Sequence, residues 1–250
     1  MNTIKNPCTI LLTGAAGHIA TAFRRACNPC YRFRLADKHI ELLQNEHLPT
    51  HELVSLDVAD LAACQAACQG IDVVLHLAAD PNPHADFYDS LLDANIKGAY
   101  NIFRAAKDQG CQRVVFASSA QAIEAYPLDQ QVATTMSVRP KNMYGVTKCF
   151  GEAVAAYFAY CEGLSSIVVR IGNYNDFAPG QTHTTRDMSA YLSPSDMVQL
   201  VTQCIETPDI LFALVHGVSD NRFKRLDLTD TRTLLSYHPR DDAFKILGIL

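Results

Sequence analysis

The 250-residue chain is 48% hydrophobic and carries a formal net charge of -5. It is long enough to bury a large core and too acidic overall to suggest a nucleic-acid partner. No apolar run approaches the roughly 20 residues needed to span a bilayer. The polar residues 1–7 lack a signal-peptide core. Nine cysteines, an odd number in a chain too large to need disulfide staples, are expected to be reduced thiols. Cys27 and Cys30 form one Cys-x-x-Cys pair near the end of a predicted helix, away from the helix N-terminus where a redox pair would sit. No second pair completes a zinc set, so no metal site is expected. These features predict a cytoplasmic protein that binds neither membranes nor nucleic acid.

Short apolar runs at residues 9–13, 33–36, 52–56, 73–77, 113–117 and 166–170 predict strands. Most are near-continuous Val, Leu, Ile or Phe, the pattern of strands covered on both faces. Residues 17–26, 61–68, 86–109 and 142–161 predict helices between them. The alternation predicts an α/β fold with a doubly wound parallel sheet and right-handed crossovers, one domain over residues 1–250. Residues 173–195 read as a loop rich in Gly, Pro, Asn, Asp and Thr. A helix at 194–206, a strand at 212–216 and a small polar C-terminal region follow. Substrate-side elements are expected mainly in 173–195 and 217–250.

The first strand runs into Thr13-Gly14-Ala15-Ala16-Gly17-His18-Ile19-Ala20. A tight turn after a strand wants a residue without Cβ, the backbone must approach a pyrophosphate closely, and a small third residue lets helix and strand pack. Gly14, Ala16 and Gly17, with the N–H groups of His18 and Ile19, are therefore expected to cradle phosphates. Asp37 ends the second strand about 20 residues on, where an acid binds adenosine ribose hydroxyls and repels a 2′-phosphate, favouring NAD over NADP. Lys38 pulls the other way. Asp57 and Val58 end the third strand beside the expected adenine. Leu77, Ala78 and Ala79 end the fourth, where small side chains let the cofactor cross the strand tips; His76 is read as part of that strand.

The fifth strand leads to Ser118-Ser119-Ala120, and Tyr144-x-x-x-Lys148 follows. Tyr and Lys four apart share one helix face. A phenol with an ordinary pKa near ~10 acts as acid or base near neutrality only if its phenolate is stabilised, here by the Lys148 ammonium and a positive nicotinamide. Ser119 is expected to hold the substrate oxygen, Tyr144 to take the hydroxyl proton, and the nicotinamide to take hydride.

Taken in order, Gly14-Ala-Ala-Gly17, Asp37, Asp57, Leu77-Ala-Ala79, Ala94-Asn95-Ile96-Lys97-Gly98, Ser118-Ser119 and Tyr144-x-x-x-Lys148 resemble the extended short-chain dehydrogenase/reductases, the NAD-dependent epimerase/dehydratase superfamily with its Rossmann fold. More narrowly, residues 143–152, Val169-Arg-Ile-Gly172, residues 191–196 and residues 216–221 look like uronate dehydrogenases. That resemblance implies NAD, with Ile171 also beside it, and oxidation of a sugar acid at C1. It also implies a homodimer or higher homo-oligomer through the helices at 86–109 and 142–161, with Val146, Phe150, Val154 and Phe158 as an apolar stripe. Asn95 falls on the family's structural active-site Asn, and Arg186 on an Arg that meets the sugar acid. Asp80, Ser118, Ser119, Gln121 and Asn173 fall on the substrate side. The chain departs from the uronate pattern where that family carries Ser-Ser-Asn-His: here Ala120 and Gln121 follow the serines. After the fourth strand, where that family carries Gly-Gly and a nearby Ser, stand Ala78, Ala79, Asp80 and Pro81, and Asn173-Tyr174 replace Ser-Cys. The hydride machinery is retained and the substrate face altered. Two other functions fit the motifs: a nucleotide-sugar epimerase or dehydratase that recycles its NAD, drawing on Lys141, Arg186, Arg222, Lys224 and Arg225 for charge, and a non-catalytic NAD-binding protein.

Overall fold

A computed structural model describes residues 8–27, 30–43 and 51–249; the polar start, residues 1–7, lies outside the described residues. Seven strands pair in parallel: β1 (Thr9–Thr13), β2 (Arg32–Asp37), β3 (Glu52–Ser55), β4 (Val73–His76), β5 (Arg113–Ser119), β6 (Ser165–Ile171) and the late strand β9 (Phe212–Gly217). Their order is β3-β2-β1-β4-β5-β6-β9. The expected doubly wound parallel sheet is thus the one observed. The chain leaves β1 in opposite directions across the sheet, which opens a crevice at the carboxyl ends of β1 and β4. β5 and β6 run two residues and one residue further than their apolar cores predict, because Ser118 and Ser119 keep pairing with Arg170 and Ile171.

Helices cover both faces. On one, α1 (His18–Cys27) and α6 (Pro194–Glu206) bury Phe23, Met197, Leu200 and Cys204 against Ile10, Leu12, Leu35 and Val115. On the other, α2 (Leu61–Cys68), α3 (Gly98–Asp108) and α4 (Met143–Glu162) bury Ala67, Phe103, Val154 and Phe158 against Leu11, Val74 and Val168. Each fully buried Leu or Phe contributes about 1.5–3 kcal/mol. Val154 and Phe158, read as part of an apolar stripe for a partner, therefore face this chain's own core; Met143, Val146, Tyr157 and Tyr160 are the exposed large apolar residues of α4.

Two expectations change in detail. The helix expected over 86–109 is two segments, a π-helical Phe87–Lys97 followed by α3. Asp86 caps the first by accepting from the N–H groups of Tyr88 and Asp89, and its carbonyl accepts from Leu91 N, five residues on. The wider coil turns Asn95 inward. The stretch expected to be a loop, residues 173–195, contains β7 (Asn173–Tyr174) paired with β8 (Tyr191–Leu192), and α5 (Thr185–Ser189), capped by Thr184 accepting from Asp187 N. Two-residue strands are too short to show alternation in a sequence. The C-terminal region adds α7 (Thr229–Leu235) and α8 (Ala243–Ile246). The nine cysteines are free thiols, with Cys27, Cys64, Cys68, Cys111 and Cys204 buried. Among the described residues no helix is long and apolar enough to cross a membrane, and no cluster of His, Cys, Asp and Glu is arranged to hold a metal.

Candidate active site

The turn after β1 is built on Gly14, whose φ of +67° only glycine adopts without strain. A Cβ there would also lie 2.8 Å from Ala78 N, so the turn and the end of β4 touch backbone to backbone. Gly17 N donates to Gly14 O at 3.0 Å, and α1 starts at His18 with its first N–H groups lacking intrahelical acceptors. The Ala16 N–H, expected on the phosphates, instead donates to Asp37 Oδ2 at 3.0 Å. Asp37 Oδ1 accepts from His39 N at 2.9 Å, so the carboxylate is locked at the tip of β2 with lone pairs to spare. Lys38 is not a free cation: its Nζ lies 2.9 Å from Asp57 Oδ2. The Ala59 N–H and then Lys38 hold the Asp57 carboxyl below its ordinary pKa.

A cleft of about 620 Å³ runs from Gly14, Gly17, His18 and Ile19 past Asp37 and Leu77–Ala79 to Ser118, Ser119, Tyr144, Lys148 and residues 171–174. A second hollow of about 410 Å³ continues it over Asp57, Val58 and Asp80 and shares Gly14, Asp37, Ala78 and Ala79 with the first. Together they form a trough across the switch point of the sheet, with a donor-rich helix start in the middle and a fixed carboxylate toward one end. These dimensions and groups fit a dinucleotide.

At the other end stand the phenol and the ammonium. Asn142 caps α4 by accepting from Gly145 N at 2.8 Å. A Cβ on Gly145 would lie 2.4 Å from Gln121 O, so only glycine lets this helix press onto the turn after β5. That contact brings Tyr144, 9% exposed, to Ser119. Burial raises the Tyr144 pKa, the Ser119 hydrogen bond works against that, and the Asp80 charge adds to it. Lys148, 5% exposed, donates to Ala117 O at 2.8 Å and sits 5.5 Å from the Tyr144 ring centre. Burial pulls its pKa down to about 8. Each group is thus disfavoured as an isolated charge, and a phenolate–ammonium pair relieves both. Ser119 Oγ also accepts from Gln121 N at 3.2 Å.

Behind the cleft lies a buried network that the sequence did not reveal. Ser118 Oγ donates to Glu152 Oε1 at 2.6 Å, and Arg170 grips both oxygens of Glu152 at 2.9 and 2.8 Å. Ser118 lines the wall, but its hydroxyl points into this network. His76 is buried, hydrogen-bonded to Thr13 Oγ1 at 2.8 Å, and burial pushes its pKa down to about 3, so it is a neutral strand residue.

Besides Ala16, three expected site residues line neither hollow. Asn95 lies beneath it: Oδ1 accepts from Asp80 N at 2.8 Å, and Nδ2 donates to Asp80 O at 3.1 Å and Thr147 Oγ1 at 3.0 Å. It ties the strand-end loop to α4 and does not reach into the trough. Gln121 Oε1 accepts from Asn142 Nδ2 at 2.8 Å, committing that side chain to the α4 cap. Arg186 on α5 gives its fork to Glu124, Nε to Oε1 at 3.0 Å and Nη2 to Oε2 at 2.8 Å. Burial pulls the Arg186 pKa down, but the hydrogen bonds and charge of Glu124 outweigh it and the net shift is upward. Asp80 lines the second hollow and accepts from Ser90 Oγ and, at 2.9 Å, from Asn82 N. Asn173 lines the main cleft, joined by Tyr174 and Pro81, which the sequence marked only as departures from the uronate pattern.

An NAD-dependent glucose-6-phosphate dehydrogenase of Haloferax volcanii is 34% identical to this chain, over 94% of this chain and 94% of its own length. A uronate dehydrogenase of Pseudomonas putida is 32% identical, over 94% of this chain and 84% of its own. The crystal structure of uronate dehydrogenase from Agrobacterium tumefaciens shares the fold with a TM-score of 0.85 at 31% identity, covering 95% of this chain and 87% of that one. The sequence pattern of the NAD dependent epimerase/dehydratase family matches residues 10–195. The family match over residues 10–195 and relatives more than 30% identical along nearly the whole chain show that it belongs to the NAD-dependent epimerase/dehydratase family.

Proposed function

We propose that this protein is an NAD-dependent dehydrogenase that oxidises a sugar or sugar acid, with residues 1–250 acting as one domain. The observation that carries this reading is the phenol of Tyr144, held against Ser119 and beside the buried Lys148 ammonium at one end of a dinucleotide-sized trough. Gly14, Gly17, His18 and Ile19 would hold the pyrophosphate, Asp37 the adenosine ribose, and Asp57 and Val58 the adenine. Leu77, Ala78, Ala79 and Ile171 would flank the cofactor toward its nicotinamide end. Bound there, NAD supplies the hydride acceptor. Ser119 orients the substrate hydroxyl by hydrogen bonding, and Tyr144 takes its proton. Lys148 stabilises the phenolate that does so and would hold the nicotinamide ribose. Ser118 and Asn95 position these groups from behind, Asn95 through the Asp80 loop and Thr147. Asn173, and Asp80 through that loop, border the substrate.

The nucleotide-sugar reading needs cations for a diphosphate, and four of the five considered for it are engaged elsewhere, the exposed Lys141 being the fifth. Arg186 pairs with Glu124, Arg222 with Asp242 and Lys224 with Asp220, while Arg225 is buried on backbone carbonyls. A purely binding role leaves the Ser119, Tyr144 and Lys148 arrangement without purpose. The test is NADH formation by purified protein across a panel of aldoses and uronates, with NAD binding followed in parallel by calorimetry. Turnover of one or more sugars supports the reading; silence across the panel with NAD bound refutes it. The same reading includes a homodimer whose contact takes in the exposed Val146, Tyr157 and Tyr160 of α4. A monomeric mass by light scattering at micromolar concentration excludes it.

A further inference from the structure

The second hollow carries an unusual balance of charge. Five carboxylates line it, those of Asp37, Asp57, Asp80, Asp89 and Asp93, and among the described residues Lys38 is its one Lys or Arg. The hollow shares Gly14 and Asp37 with the main cleft, so an adenosine ribose held at Asp37 would have its 2′ position among these groups. A 2′-phosphate there brings about two further negative charges.

Lys38 follows Asp37 directly, and an ammonium is a good point-charge partner for phosphate. Its place in the chain alone would therefore favour NADP. The structure gives it a different partner. Asp57, in the turn after β3, divides its two oxygens: Oδ1 accepts from Ala59 N at 3.0 Å and Oδ2 lies 2.9 Å from Lys38 Nζ. The other basic ring in the hollow, His39, has its Nδ1 3.3 Å from Glu41. Nor can Asp37 turn aside to admit a phosphate. Its Oδ2 accepts from Ala16 N at 3.0 Å and its Oδ1 from His39 N at 2.9 Å, so both ends of the carboxylate are fixed by backbone. The Lys38–Asp57 pair is exposed and weak by itself. It need only compete with a phosphate that Asp37 already repels.

We propose that this protein selects NAD and rejects NADP, and that Asp57 acts in that choice as a positioning residue, holding Lys38 away from the ribose 2′ position. This rests on the cofactor placement given under the dehydrogenase reading. Asp37 supplies the fixed repulsion, and Asp57 takes up the one lysine that could offset it.

The test is the affinity of the intact protein for NAD and for NADP, each by calorimetry and without substrate. The wild type should bind NAD tighter by about 100-fold or more, the cost of setting like charges together. Asp57→Asn keeps an oxygen for Ala59 N and removes the charge that holds Lys38. It should narrow the gap by about 10-fold, chiefly through tighter NADP. Adding Lys38→Met to Asp57→Asn should return the gap toward the wild-type value, and Asp57→Glu, which keeps the charge, should hold it there. Lys38→Met alone should leave NADP affinity unchanged, which keeps the test open even if Asp57→Asn fails to fold. Comparable wild-type affinities for the two dinucleotides overturn the proposal. So does a gap unmoved by Asp57→Asn, a gap narrowed equally without Lys38, or a loss of NADP affinity in Lys38→Met alone. Absence of binding by either dinucleotide removes the cofactor placement itself, a separate result from NAD binding without discrimination.

Discussion

Glu152→Ala should unfold this protein more readily than any single change in the cleft lining. Glu152 and Arg170 are 6% and 2% exposed, and the guanidinium grips both carboxylate oxygens at 2.9 and 2.8 Å. Deleting the carboxylate leaves a desolvated cation without its counter-charge, a loss of about 3–5 kcal/mol. It also strands the Ser118 hydroxyl, which donates to the same oxygen at 2.6 Å. For a chain of this size, each kcal/mol moves the midpoint by about 2–4 °C, so a drop of about 6–20 °C is expected. Thermal and urea unfolding without added NAD measure it. Because Ser118 adjoins Ser119 and Arg170 adjoins Ile171, NAD affinity should fall as well. Replacing both partners by apolar residues of similar size, Glu152→Met with Arg170→Leu, should recover most of the stability, since the desolvation cost goes with the charges. A single-mutant loss below about 1 kcal/mol, or a double mutant no better than the single, would refute the reasoning that this pair is a buried ionic support.

Other perturbations test other parts. Gly14→Ala places a Cβ at a φ of +67° and 2.8 Å from Ala78 N. It should cost about 1–3 kcal/mol and weaken NAD binding in calorimetry; unchanged affinity and midpoint would contradict the turn geometry. Lys148→Met removes the cation beside Tyr144, so the phenol should ionise at higher pH and the rising limb of the kcat/KM profile for sugar oxidation should move upward; an unmoved limb contradicts the pairing. Lys148 also titrates near 8 in the folded protein against an ordinary 10.5. The unfolded chain holds that proton more tightly, so this group makes stability rise with pH between about 8 and 10.5, and Lys148→Met should flatten that part of the stability curve. Asn95→Ala leaves Asp80 N and Asp80 O without their side-chain partner and should cost about 1–3 kcal/mol, with a larger effect on kcat than on NAD affinity; equal loss of both would place Asn95 in the cofactor site.

Much of the fold was legible because parallel strands buried on both faces read as plain apolar runs. Ile10-Leu11-Leu12 and Val114-Val115-Phe116 show no alternation because they have no solvent side to alternate with. The trough was legible because Gly14, Asp37, Ser119, Tyr144 and Lys148 are local signals: each sits at a strand end or on one helix face, where topology fixes its position. The substrate side was not legible in the same way. Arg186 was expected to meet a ligand, yet its partner is Glu124, 62 positions away, and nothing in the local sequence announces that ion pair. Ala16 and Gln121 sit within the right motifs, but one spends its N–H on Asp37 and the other its side chain on Asn142. The π-helical turns at Phe87–Lys97 hide in a pattern that an α-helix satisfies equally well, because a shift of one residue in hydrogen bonding barely alters which residues are apolar.

The central claim is that Tyr144 moves the proton while NAD binds independently of its hydroxyl. Tyr144→Phe keeps the ring packed and removes only the oxygen. With the best sugar from the panel, kcat for NADH formation should fall by about 10²- to 10⁴-fold while NAD affinity stays near that of the wild type. A variant that binds NAD normally and turns over at the wild-type rate would contradict it.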